Sequence, residues 1–320
     1  MPDTRSDEVR LKIFILDAFH EAGVSLARQH AEVVSWPDPA IDRWPEEADA
    51  VMVRMRPITA AEIVRARQVR VICKQGVGYD TIDLAAARAR GIPVLTTPGV
   101  NSEAVAEMAF ALALTVARLT ARFDRMLRAG VEIVRPRHLG IQLQGKTVGV
   151  VGMGNIGTAV ARKWHGAFDA RLLAYDPLAP ADRWHDLPHR RLGSLAELLV
   201  ASDVVTLHLP LTGETRGLIG GAELALMKRD AILINVSRGG IVDEGALLES
   251  MSAGHLFGAG LDVFEVEPPP ADHPLLRLEN LVATPHAAGG THETQERSAL
   301  QVARQVVEVL QGLPPRNRVA

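Results

Sequence analysis

Residues 146–176 read KTVGVVGMGNIGTAVARKWHGAFDARLLAYD. The apolar run Thr147 to Val151 carries β-branched residues on both faces, the mark of a fully buried parallel strand. It runs directly into Gly152-Met153-Gly154-Asn155-Ile156-Gly157 and a helical stretch to about His165. A second apolar run, residues 171–175, ends on Asp176. Gly152 permits the tight strand-to-helix turn, Gly154 lets a pyrophosphate approach the backbone, and Gly157 lets helix and strand pack closely. The free amides and positive dipole end of the helix hold phosphates. Asp176 falls about twenty residues past the glycines, where a carboxylate can accept ribose hydroxyls. A bare glycine pattern is an ordinary turn; with this strand, helix and acid around it, the stretch is read as a dinucleotide site.

Working outward, further strands are expected at residues 203–207, 231–236, 258–262 and 281–284, with helices at 195–201, 222–227 and 244–253 between them. Six strands that begin with the glycine turn fit the two mononucleotide-binding halves of a Rossmann sheet. Residues 182–192 and 265–277 read as loops, the second pinned by prolines. Upstream, strands at 9–16, 31–35, 50–55, 69–74 and 93–96 alternate with helices at 21–29, 60–67 and 81–90, a second parallel α/β layer. A long helix, 102–129, joins the two, its first half apolar nearly all round and rich in alanine, followed by an exposed connection at 131–144. The last helix, 291–311, has Leu300, Ala303, Val307 and Leu310 at helical spacing and is expected to cross back onto the first domain. The fold class is thus α/β, with two Rossmann-like doubly wound parallel-sheet domains: 1–100 plus 290–320, and 101–289.

Composition agrees with a globular chain. The 320 residues are 47% hydrophobic and 23% charged, with net charge −3, which gives no reason to expect nucleic acid or an anionic membrane. One cysteine, Cys73, excludes an internal disulfide and a cysteine-cluster metal site, so no metal is expected and a reducing compartment suits the chain. MPDTRSDEVR leads into no signal-type apolar core, and the most apolar stretch, 104–117, is too short to span a bilayer. A cytoplasmic protein is expected. The buried-looking 102–129 helix asks for a partner surface, hence a homodimer.

Parallel strands point one way, so residues just past their carboxyl ends share one rim, where open α/β sheets bind ligands. Arg238 follows one strand in Asn235-Val236-Ser237-Arg238-Gly239-Gly240. Asp262 ends the next, Glu267 follows in Asp262-Val263-Phe264-Glu265-Val266-Glu267, and His286 follows the last in Thr284-Pro285-His286. Singly, each is an ordinary surface residue. Jointly, a guanidinium, carboxylates and an imidazole on the cofactor's rim make a catalytic set. In the first domain, Gln75-Gly76-Val77-Gly78-Tyr79-Asp80 either exposes amides to a small anion or is a plain turn.

GVGYDTID, TPGVNSEAVAE, GMGNIG with Asp176, NVSRGG, DVFEVEP and TPH together make the chain similar to NAD-dependent D-isomer-specific 2-hydroxyacid dehydrogenases over nearly its whole length. The resemblance implies Arg238, Glu267 and His286 as the catalytic set. It implies cofactor contacts from Gly152, Gly154, Asn155, Ile156, Gly157, Asp176, His208, Pro210, Thr215, Asn235, Val236, Ser237 and Asp262, with NAD as the cofactor. Substrate contacts would come from Arg54, Lys74, Val77, Gly78, Arg238 and His286, the amides of Val77 and Gly78 meeting the substrate carboxylate. Ala287-Ala288 departs from the larger aliphatic that many members place after the histidine, and no C-terminal regulatory domain is expected. His286 would exchange a proton with the substrate oxygen, Glu267 would favour its charged form, and Arg238 would grip a carboxylate through two parallel bonds. The chain is expected to be an oxidoreductase that transfers hydride between NAD(H) and a small 2-oxo or D-2-hydroxy acid of the glyoxylate, hydroxypyruvate or 3-phosphoglycerate type. The alternatives are oxidation of another small anion such as formate or phosphite, and a non-catalytic NAD(H)-sensing corepressor-like scaffold. Arg54, Arg56 and Lys74, near strand ends, either bind a phosphate or are solvated and paired with acids.

Overall fold

The computed structural model describes residues 10–320. The strand expected from Val9 begins at Lys12; Val9 itself, like most of the N-terminal stretch, lies outside the described residues. The chain divides into two compact units, Met1–Asn101 with Thr291–Ala320, and Ser102–Gly290.

In the first unit β1 (Lys12–Ile15), α1 (Glu21–His30), β2 (Glu32–Ser35), α2 (Trp44–Glu47), β3 (Ala50–Val53), α3 (Ala60–Arg65), β4 (Val71–Lys74), α4 (Leu84–Ala89) and β5 (Val94–Leu95) alternate. Five parallel strands stand in the order β2-β1-β3-β4-β5. The period-2 alternation of each strand sorts its side chains to two faces. Phe14, Val51, Val53, Ile72 and Val94 meet Trp44, Ile63 and Ala87 on one side. Ile13, Ile15, Met52, Val71 and Cys73 meet Val24, Ala27, Val302, Ala303 and Val306 on the other. Those last residues lie on α11 (His292–Leu310), which packs against α1, β3 and β4 and so returns the end of the chain to the first unit. Val302 and Val306, fully buried, do the work expected of Leu300, which is only partly covered. The helix expected over 81–90 starts later, at Leu84, because the Asp83 carboxylate caps it by accepting from the Ala86 amide.

The second unit holds α5 (Ser102–Ala117), α6 (Thr120–Arg128), β6 (Thr147–Val151), α7 (Asn155–Phe168), β7 (Arg171–Tyr175), β8 (Arg190–Arg191), α8 (Leu195–Ala201), β9 (Val204–Leu207), α9 (Gly221–Leu226), β10 (Ile232–Asn235), α10 (Glu244–Ser252), β11 (Gly258–Leu261) and β12 (Leu281–Ala283). Its seven parallel strands run β12-β11-β10-β9-β6-β7-β8, so the strand order reverses between β6 and β9, beside the glycine turn. The sheet has one strand more than expected. β8 lies in a stretch read as a loop, since two edge arginines show no apolar pattern.

The expected single helix over 102–129 is two, bent by 62°. Leu119 takes the left-handed conformation at φ 57°, and the Ala117 carbonyl, which would continue the helical ladder, accepts from the Ile141 amide at 2.7 Å instead. The break is therefore imposed by the returning connection. α5 buries Val105, Ala109, Leu112, Ala113 and Val116 against α7, β10 and β11, so its apolar surface is covered within the unit. No single helix among the described residues is long and apolar enough to cross a membrane.

Candidate active site

The glycine turn is built as tightly as its spacing demands. Gly152 sits at φ 99°, and a Cβ there would lie 2.4 Å from the His208 carbonyl oxygen. A Cβ on Gly157 would lie 2.0 Å from the Gly152 carbonyl oxygen, so only glycine lets α7 start this close to β6. Gly154 is different: a side chain there would meet no protein atom within 4 Å. It opens outward at the head of α7, where no side chain caps the first amides. Open backbone at an uncapped helix start suits a pyrophosphate. Asn155 is exposed there and Ile156 half-buried.

The Asp176 carboxylate closes this turn from the next strand, accepting from the Met153 amide at 2.8 Å and from the Leu178 and Ala179 amides at 3.0 and 3.1 Å. Two residues that sequence reading did not single out lie behind it. Arg183 donates to the Met153 carbonyl at 2.7 Å, and Arg191 donates to the backbone carbonyls of Asp176 and Ala179. Both sit in the supposed loop 182–192, where nothing in the sequence separates them from solvated arginines. His208, at the end of β9, bonds Thr206 at 2.8 Å; burial pushes its pKa down to about 3, so the ring is neutral. Thr215 donates to the Pro210 carbonyl at 2.6 Å and folds that loop on itself.

Three further loops leave the same rim. Past β10, the Asn235 side chain accepts from the amide and hydroxyl of Ser237 and donates to the Arg238 carbonyl at 3.0 Å, which makes a tight platform for the half-buried Arg238 beside buried Val236. Past β12, His286 stands at φ 53°, uncommon for a residue with a side chain. Asp262, fully buried at the end of β11, holds it there. The Asp262 carboxylate accepts from Thr284 and from the amides of Ala287 and Ala288, and its carbonyl accepts from the His286 amide at 2.7 Å. Expected among the cofactor contacts, Asp262 thus directs its carboxylate at the histidine's loop. Glu267, on the segment after β11, uses both oxygens. One accepts from the Phe264 amide at 3.1 Å, and the other meets His286 Nδ1 at 2.7 Å. Burial pushes the Glu267 carboxyl up, but the His286 contact, the Phe264 amide and the Arg238 charge outweigh it and hold the pKa below the ordinary value. A carboxylate-oriented imidazole beside a guanidinium can exchange a proton and steady negative charge on oxygen.

In the first unit the residues considered for substrate behave unequally. The amides of Val77 and Gly78 donate to nothing among the described residues, while Thr97 ties the neighbouring Gly76 through its hydroxyl and its amide. Lys74 is buried and donates to the Arg54 carbonyl. Arg56 is held by Asp42 at 3.0 Å and Glu62 at 3.2 Å. Arg54 follows β3 with its amide bonded to Asp17.

A doubly wound sheet with this turn and an acid ending its second strand defines a dinucleotide-binding oxidoreductase domain. Residues 110–288 match the family model "D-isomer specific 2-hydroxyacid dehydrogenase, NAD binding domain". The chain is 42% identical over 318 residues to a glyoxylate reductase of Korarchaeum cryptofilum, covering 96% of this chain and 95% of that one. It is 43% identical over 272 residues to a D-3-phosphoglycerate dehydrogenase of Archaeoglobus fulgidus, covering 85% of this chain but 51% of that one. An NAD-dependent formate dehydrogenase of Staphylococcus aureus, solved with NAD, superposes with a TM-score of 0.84 at 29% identity, covering 97% and 99% of the two chains. The chain belongs to the D-isomer specific 2-hydroxyacid dehydrogenases. It is an NAD-dependent enzyme of that kind.

Proposed function

We propose that the enzyme reduces a small, unphosphorylated 2-oxo acid of the glyoxylate or hydroxypyruvate type to its D-2-hydroxy acid, with Arg238, Glu267 and His286 as the catalytic set. The observation that carries this reading is the 2.7 Å bond between His286 Nδ1 and Glu267. It leaves Nε2 as the ring atom free to give a proton to the substrate oxygen in reduction, or to take it back in oxidation. Bound NADH supplies the hydride. Glu267, its pKa held below the ordinary carboxylate value, steadies the imidazolium, and Arg238, whose Nη1 donates to the Ser237 carbonyl at 2.7 Å, would turn its guanidinium to the substrate's carboxylate and carbonyl. The amides of Val77 and Gly78, unengaged among the described residues, are those that a carboxylate would take, with Arg54 past the paired strand β3 and Lys74, which bonds the Arg54 carbonyl, shaping the strand end. The phosphate alternative is disfavoured because Arg56 is already neutralised by Asp42 and Glu62, and Lys74 is buried on a carbonyl.

On this reading the first unit binds substrate, and Gly152, Gly154, Asn155, Ile156, Gly157, Asp176, His208, Pro210, Thr215, Asn235, Val236 and Ser237 line the cofactor. The protein is a cytoplasmic homodimer. Its contact surface is α6 with the 131–144 connection, where Leu127, Val131, Val134 and Leu139 stand exposed. Following NADH absorbance with glyoxylate, hydroxypyruvate, 2-oxobutyrate, phenylpyruvate and 3-phosphohydroxypyruvate in parallel tests the substrate class. Turnover of the phosphorylated acid above the others would overturn it, and turnover of none would leave a sensing scaffold.

A further inference from the structure

The segment that carries Glu267 has no regular structure of its own, yet Glu267 must meet His286 to within a fraction of an ångström. What fixes it lies one loop away. Glu244, the first residue of α10, is only 15% exposed at its side chain, and its carboxylate reaches both ends of the segment. One oxygen accepts from the Glu265 amide at 2.7 Å, and the other meets His273 Nε2 at 3.1 Å. His273 is itself 18% exposed and stands edge-on to the buried Phe264, ring centroids 5.7 Å apart. Phe264 is the residue whose amide binds the other oxygen of Glu267. From beneath, Gly239 presses on the same backbone, since a Cβ there would lie 1.8 Å from the Phe264 carbonyl oxygen. The peptide run 264–265 is thus held from the Arg238 loop on one side and from Glu244 on the other.

We infer that Glu244 and His273 are positioning residues for the reaction, pinning the two ends of the 264–273 segment so that Glu267 faces His286. This rests on the reading of Glu267 and His286 as the acid–base pair. Neither residue touches the reacting atoms; they act through the Phe264 and Glu265 backbone. The direction of the bond to His273 follows from its partner. His273 Nδ1 is enclosed without a partner among the described residues, and Nε2 carries a proton that it donates to Glu244, since a carboxylate can only accept. The charged groups around the pair they serve are Arg238 past β10 and Asp262 at the end of β11, both left in place by changes at Glu244 and His273.

The test compares Glu244→Ala, Glu244→Gln, His273→Leu and Glu267→Gln in the full chain. Glu244→Ala should lower kcat for reduction roughly tenfold or more, the size of losing well-placed bonds at a buried site. It should move the basic limb of the pH profile in the same direction as Glu267→Gln, with the Kd for NADH unchanged within about twofold. Glu244→Gln can still accept from Glu265 and donate to the other His273 tautomer, so it should recover most of the rate. His273→Leu, which keeps the packing on Phe264, should show the same shift at smaller size and covers the case in which Glu244→Ala fails to fold. If Glu267→Gln moves the limb while Glu244→Ala and His273→Leu leave rate and limb at the parent values, the positioning role is refuted. A fall in kcat matched by weakened NADH binding also refutes it, since that is general loosening of the unit. If Glu267→Gln itself moves nothing, the acid–base reading fails, and this inference with it.

Discussion

Replacing Glu267 by Gln removes the charge and one of its two acceptors: the amide oxygen can still accept from the Phe264 amide, which leaves the NH2 group facing His286 Nδ1. What is lost is the attraction between a carboxylate and an imidazolium whose facing atoms are 2.7 Å apart. With charge centres about 4 Å apart, that attraction is about 4 kcal/mol at the effective dielectric of a protein surface and about 1 kcal/mol in water. The two side chains are 34% and 35% exposed, so screening places the loss near the lower end, about 1–2 kcal/mol. That is roughly a tenfold change in an equilibrium constant. Reduction needs the imidazolium, and a ring without its anionic neighbour gives up the proton sooner. Its basic limb therefore moves to lower pH. Oxidation needs the neutral ring, so its acidic limb moves to lower pH as well. Glu267's own ionisation is held below the ordinary carboxylate value, first against burial and then by His286, the Phe264 amide and Arg238, so limbs above about pH 5 do not belong to it. Single-turnover hydride transfer across pH is the assay, because slow cofactor release would hide the change in kcat. Limbs that stay in place, or move to higher pH, would refute the reasoning.

His286→Ala should cost roughly 10²–10⁴-fold in single-turnover rate with NADH affinity nearly intact; a smaller loss would assign the proton to another group. NADH should be preferred over NADPH by kcat/KM if Asp176 takes the role proposed for it, accepting the ribose hydroxyls and repelling a 2′-phosphate; an NADPH preference would sink that assignment. Gly157→Ala puts a methyl 2.0 Å from the Gly152 carbonyl oxygen, so α7 must shift; the melting temperature and NADH binding should both fall, the overpacking alone costing about 1–3 kcal/mol. Sedimentation at micromolar concentration should give a dimer, and Leu139→Asp, at a side chain 73% exposed, should weaken it without harming the fold.

Strands whose residues are buried on both faces announce themselves: Val71-Ile72-Cys73 and Ile232-Leu233-Ile234 are apolar runs of strand length, and the glycine turn dates the start of the second sheet. The rim rule then carried His286 and Glu267 to one place, because both follow parallel strands of one sheet. What could not be read was whatever one segment imposes on another far along the chain. The break after Ala117 depends on the Ile141 amide, and α5 looks like a helix in need of a partner chain until its cover by α7 and two strands is seen. Two arginines at an edge give β8 no pattern. The carboxylates of buried Asp262 and half-buried Glu244 are acids like any other in the sequence; only their partners, Thr284 and the amides of Ala287 and Ala288 for the one and the Glu265 amide for the other, reveal what they hold.

The first unit is assembled from the two ends of the chain, and this orders its biogenesis. As the ribosome advances, residues 102–290 emerge as one uninterrupted stretch with every strand of their sheet in hand. The earlier sheet has no such closure. Ile13, Met52 and Val71 present an apolar face that is completed by Val302, Ala303 and Val306, and β5 gains its outer neighbour when Val319 donates to Val94. Until the last thirty or so residues leave the exit tunnel, that face is open, for seconds at ordinary rates of synthesis. A nascent chain arrested while residues 291–320 are still inside the exit tunnel should therefore bind NADH through its finished second unit while still being held by chaperones through its first.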